Sequence, residues 1–190
     1  MRICGSQVIF PYIRREIDLS TVLLAATEFC RLVDIDPKRF EQRRLRERAV
    51  TDVRQVIADA EDFALPVAPT EPGKHARYDA LDAIRMRCVM TLEQMGMGFG
   101  PACNFIRASG ITAFLSHVDD DDFLAARWLE PGGKVRHVAG TQRDLAMAMP
   151  AKPLAAVTIN VSHVAAEIAR RANTQLGLMV RNGKFYQEAK

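Results

Sequence analysis

The sequence predicts an α+β fold, with a helical N-terminal domain over residues 1–112 and a smaller α/β region over residues 113–190. Three observations point there. Apolar residues recur at helical spacing through most of the first part, the segment Ala156 to Val161 alternates as a strand does, and helical spacing returns directly after it.

The elements follow in order. Residues 1–19 offer only a short strand candidate, Gln7 to Ile13, interrupted by Pro11. Ser20 is placed to cap a helix running to Val33, with Val22, Ala26, Phe29, Cys30 and Val33 on its core face. Asp36 and Pro37 then announce a second helix: a short carboxylate accepts a bond from a free backbone N–H, and proline in the first turn forfeits none. Six cations against three acids between Asp36 and Arg48 leave this stretch at +3, the formal charge of the whole chain. If Phe40 points inward, Arg39, Gln42, Arg43 and Arg46 fall on the opposite face, with Lys38 beside them.

Thr51 to Phe63 repeats the helical period with Val53, Val56, Ile57 and Ala60 inward, and the proline-rich run Pro66 to Gly73 is a loop. Asp79, with Asp82 three residues on, reads as a capping box for a helix in which Leu81, Ile84, Cys88, Leu92 and Met95 share one side while Arg85 and Arg87 face elsewhere. Gly96 stops that helix, and a shorter one runs from Pro101 to Ser109, closed by Gly110. Met86, Met90, Met95 and Met97 read as core fillers. The acids Asp119 to Asp122 read as a solvated turn, because consecutive carboxylates do not converge on one ion. Phe123 to Leu129 and Lys134 to Ala139 are strands about a turn at Gly132 and Gly133; Thr141 to Met149 is a short helix. Ser162 is expected to cap a last helix from His163 to Leu176.

Composition excludes some functions. No apolar run is long enough for a membrane span, and the first residues lack a signal-peptide pattern, so a cytoplasmic location is expected. Cys4, Cys30, Cys88 and Cys103 form no CxxC pair and read as reduced, packed thiols, with no metal or other cofactor implied. His75, His117, His137 and His163 are scattered, and no nucleophile elbow, P-loop or HExxH occurs, so no enzymatic turnover is expected.

A helix, a turn opening a basic helix, a loop, a basic tip ending in Arg77 and Tyr78, a capped helix, a glycine and a short second helix follow one another over residues 20–110. This order resembles the winged helix-turn-helix domain of the MerR family of DNA-binding proteins. The matching residues are Glu28 to Arg31, Ile35 and Asp36, Phe40, Arg77 to Asp82, and Met95 with Gly96. The spacing from second helix to wing is longer than the family's, no aromatic-Arg-Gly sequence closes that helix, and the metal sensors' long dimerisation helix and C-terminal cysteine cluster are missing.

The resemblance implies that Pro37 to Arg46 enters the major groove and that Lys74 to Tyr78 forms the wing. It makes Lys38, Arg39, Gln42, Arg43 and Arg46 candidates for base or phosphate contact, and Lys74, His75 and Arg77 for phosphate. Tyr78 either packs under the wing or donates its hydroxyl to a phosphate. The expected function is sequence-specific double-stranded DNA binding by a homodimeric transcriptional regulator, with a phage-type DNA-binding accessory factor as the alternative. Residues Ala156 to Leu176 are expected to dimerise or to bind a protein partner.

Overall fold

The computed structural model describes residues 19–53, 65–67, 76–116, 122–149 and 153–188. Its class is α+β. The chain enters as two short strands, β1 (Leu19–Val22) and β2 (Leu24–Ala25), in place of the helix expected from Ser20. The reason is non-local: β1 lies antiparallel on β8 (Lys184–Glu188), with Leu19 opposite Glu188 and Val22 opposite Phe185, and β8 forms a hairpin with β7 (Met179–Arg181).

Helix α1 (Ala26–Val33) starts where the backbone N–H of Ala25 donates to the Glu28 carboxylate, and it ends at Asp34, a non-glycine residue in the left-handed region at φ 65°. Asp36 caps α2 (Pro37–Val53) by accepting the Arg39 N–H at 2.8 Å, as its sequence indicates. Helix α2 continues through residues 51–53, which the sequence assigned to a separate helix; the rest of that expected helix lies outside the described residues. Of the loop expected from Pro66 to Gly73 all but residues 66 and 67 lies outside the described residues; β3 (Arg77–Tyr78) pairs with β2, Leu24 facing Tyr78 and Ala25 facing Arg77.

Asp79 caps α3 (Ala80–Gln94) by accepting the Asp82 N–H. Leu81, Ile84, Cys88 and Leu92 are buried as their spacing predicts, together with Met86 and Met90, whereas Met95 is exposed because the helix has ended before it. Gly96, at φ 90°, turns the chain into α4 (Phe99–Ala108), whose Ala102, Phe105 and Ile106 are buried. A 3-10 turn, Ile111–Ser116, leads toward the second half.

There β4 (Phe123–Leu129) is the centre of a sheet ordered β5-β4-β6, flanked by β5 (Val135–Thr141) and β6 (Ala155–Asn160) and antiparallel to both. Between β5 and β6, α5 (Gln142–Ala148) is closed by a Thr141/Asp144 capping box and covers one side of the sheet through Leu145, which packs with Ala126 and Trp128. Helix α6 (Val161–Leu176) is capped by Asn160, which accepts the His163 N–H at 2.8 Å. Ser162, expected in that role, instead accepts the Phe123 N–H and ties α6 to β4.

One hydrophobic core runs from Leu24 to Phe185 and crosses the 112/113 boundary drawn on the sequence. The apolar stripe of α6, Val164, Ile168 and Ala172, belongs to it, and α6 packs on α1 and α3. The halves therefore share their interior. Cys30, Cys88 and Cys103 are buried thiols, as expected, and Cys4 lies outside the described residues. Burial pushes the Cys30 thiol up to about 12 and raises Cys88 as well.

Candidate nucleic-acid interface

Two helices and one short ladder build this surface. Helices α1 and α2 meet across the left-handed turn at Asp34 and Ile35, and three rings fix the angle between them. Phe29 stacks on Tyr78 at 4.4 Å between centroids; Phe40 stands 5.4 Å from Phe29 and 5.8 Å from Tyr78. All are buried. Phe40 thus points inward, as its place in the sequence suggests, and helical spacing sets Lys38 and Gln42 away from these rings, while Arg44 lies on their side.

The expected contact residues divide. Lys38 and Gln42, one helical turn apart, are exposed on α2. Arg39 donates to the Glu93 carboxylate at the end of α3 while its side chain stays 41 % exposed. Arg43 is more enclosed, at 22 %: its guanidinium carbon lies 3.1 Å from the centre of the Phe99 ring, and one of its nitrogens is 3.6 Å from the same Glu93 oxygen. It is held inside the molecule by a cation–π contact and an ion pair. Arg46 belongs to α2, but its side chain, like the whole of Lys74 and His75, falls outside the described residues.

Tyr78 requires a correction. It is 0 % exposed, and its hydroxyl is buried with no hydrogen-bond partner, so of its two expected roles packing holds and its place among the DNA contacts does not: it is a core residue that seats both helices. Burial pushes its pKa up to about 12. Arg77 precedes it on β3, so its side chain leaves the opposite side of the strand, and it is half-buried.

Sequence reasoning missed the residues that organise these arginines. Glu93 and Phe99 sit at the α3–α4 junction, far from α2 in the chain, and only their three-dimensional proximity reveals them. It also missed Arg87. That side chain, expected to face away from the core, is buried and bonds Glu167 at 3.1 Å, while Arg171 reaches the same carboxylate at 2.7 Å. Arg87 and Arg171 also approach the last carbonyls of α1, Val33 O at 3.5 Å and Leu32 O at 3.2 Å, and Arg87 is 3.6 Å from Asp34. Cations at a helix C-terminus complement its dipole and supply its unfilled acceptors. Burial pushes the Glu167 carboxyl up, but the hydrogen bond from Arg87 and the charges of Arg87 and Arg171 hold it below the ordinary value.

Among the described residues no group of His, Cys, Asp and Glu is placed to hold a metal ion, and no helix is long and apolar enough to cross a membrane. No protein-family model matches the chain, and a search of curated proteins returns no match.

Proposed function

We propose that the chain is a sequence-specific double-stranded DNA-binding protein, a cytoplasmic transcriptional regulator acting as a homodimer, with α2 as the helix that enters the major groove. One observation carries the reading: Phe29, Phe40 and Tyr78 hold α2 against α1 and the β2–β3 ladder, leaving Lys38 and Gln42 exposed one turn apart near its N-terminus. The N-terminal residues of a recognition helix are the ones that meet base edges. An ammonium suits phosphate or guanine, and the Gln42 amide suits adenine.

The contacts divide accordingly. Lys38, Arg39 and Arg77 are the phosphate candidates, Gln42 reads a base, and Arg43 positions α2 through Phe99 and Glu93. Two copies are needed because one such module covers too little of a site, whereas two-fold pairing sets two recognition helices about 34 Å apart on one side of the duplex. The pairing surface is proposed around β6 and the outer side of α6, where Leu154 and Ala156 are exposed.

The test is selection from random duplexes followed by binding across a salt series. A palindromic site should emerge, and Lys38→Ala should lower the log–log salt slope by about 0.9, the effect of one lost phosphate contact. An affinity indifferent to both salt and sequence would sink the reading.

A further inference from the structure

The register of the β5-β4-β6 sheet sets its side chains in rows. On the face toward the main core these are Ala125 with Ala139 and Ile159, then Arg127 with His137 and Val157, then Leu129 with Val135 and Ala155. The first row belongs to the packed core. The last row reaches the open end of the sheet, where Met97 from the α3–α4 junction joins Leu129, Val135, Ala155 and Val157 around a cleft of about 240 Å³.

Arg127 lines this cleft at the boundary between dry core and opening, and it is half-buried. Among the described residues it has no hydrogen-bond or ion-pair partner. His137, directly across the ladder, stacks on Phe105 at 6.0 Å, and its Nε2 is buried without a hydrogen-bond partner. Burial first, and then the charge of Arg127, lower the His137 pKa, so the imidazole is neutral and adds no second positive charge. A guanidinium drawn partly out of water beside apolar walls, with no counter-charge, is unfavourable until an anion reaches it.

We propose that this cleft binds a small organic acid, its carboxylate on Arg127 and its aliphatic or aromatic body against Met97, Leu129 and Val135. The planar fork of arginine matches a carboxylate through paired hydrogen bonds. The walls select the rest of the ligand, since an inorganic anion would leave them uncovered. The inference stands apart from the DNA-binding reading and can fail or succeed without it.

Benzoate and hexanoate, with benzyl alcohol and hexanol as their neutral counterparts, would be titrated into the full chain. The methyl resonances of Met97 and Val157, both lining the cleft, report occupancy. The acids should bind saturably and the alcohols about tenfold more weakly, the difference a charge-assisted hydrogen bond makes. Arg127→Gln should abolish that preference. Val135→Glu changes an exposed position and places a competing carboxylate in the neighbouring row, so it should block the acids while leaving thermal unfolding unchanged, which keeps the test valid if Arg127→Gln fails to fold. Equal binding of acid and alcohol, no saturable binding of either acid up to about 10 mM, or acid binding undiminished in the folded variants would overturn the proposal.

Discussion

Glu93 and Glu167 each meet two arginines, yet they occupy opposite situations in the molecule. Glu167 lies on α6 facing α3, and its partners Arg87 and Arg171 go on to the terminal carbonyls of α1. Glu93, exposed to the same degree at 23 % against 24 %, sits at the C-terminal end of α3, and its partners Arg39 and Arg43 belong to the helix proposed to meet DNA. In the first cluster every charge is committed to architecture, with Arg87 8 % exposed. In the second, Arg39 is the more exposed partner at 41 %, where an ion pair is weaker and, on the proposed reading, a phosphate can replace the carboxylate. The same chemical unit is a clamp at the middle of α3 and, on the proposed DNA-binding reading, a parking place at its C-terminal end.

Replacing each carboxylate separates the two. Glu167→Gln should destabilise the protein by about 2–3 kcal/mol in urea denaturation, somewhat less than a fully buried pair because the side chain retains some contact with solvent. A loss below about 0.5 kcal/mol would put both clusters on one footing. The acid limb offers a second reading of the same contrast. Because the folded Glu167 carboxyl is held below its ordinary value, its stabilisation is complete above the usual glutamate range and is lost as pH falls through that range and past the lowered value. The stability gap between wild type and Glu167→Gln should therefore narrow as pH falls through and below the ordinary glutamate range; a gap that held constant would mean the carboxylate charge is irrelevant.

Arg43→Ala comes next in size. Loss of the Phe99 stack and the Glu93 pair should cost about 1 kcal/mol of stability. DNA affinity should fall without any change in base preference, and a relaxed preference at one base pair would return Arg43 to the reading face. The smallest effect is expected for Glu93→Gln, with stability within about 0.5 kcal/mol of wild type. Its signature is in binding: Arg39 is released toward phosphate, and the salt slope should steepen by up to about 0.9 for each additional phosphate neutralised. Calorimetry and a salt titration on the same preparation would check both.

Local signals carried much of the fold. The starts of α2 and α3 were legible because Asp36 and Asp79 form caps from neighbouring residues, β4 and β5 because two runs flank the turn at Gly132 and Gly133, and β6 because it alternates. The errors arise where a distant partner decides. Leu19 to Ala25 continues a helical ladder by pattern, but β8 and β3 hold it as strand. Arg87 looks like a surface residue until Glu167, eighty positions on, is placed beside it. The candidate site shows the same division. Lys38 and Gln42 stand exposed where helical spacing puts them, whereas the ring of Tyr78 is enclosed by Phe29 and Phe40 from two other elements.

The pairing of β1 with β8 sets an order of events for the newborn chain. The strand that leads into α1 leaves the ribosome long before its partner exists, and the N–H of Leu81, in the first turn of α3, finds its acceptor only in the carbonyl of Gly183 at the tip of the last hairpin. Closing so wide a loop is slow, so α1 to α3 acquire their final anchorage only once translation has passed β8.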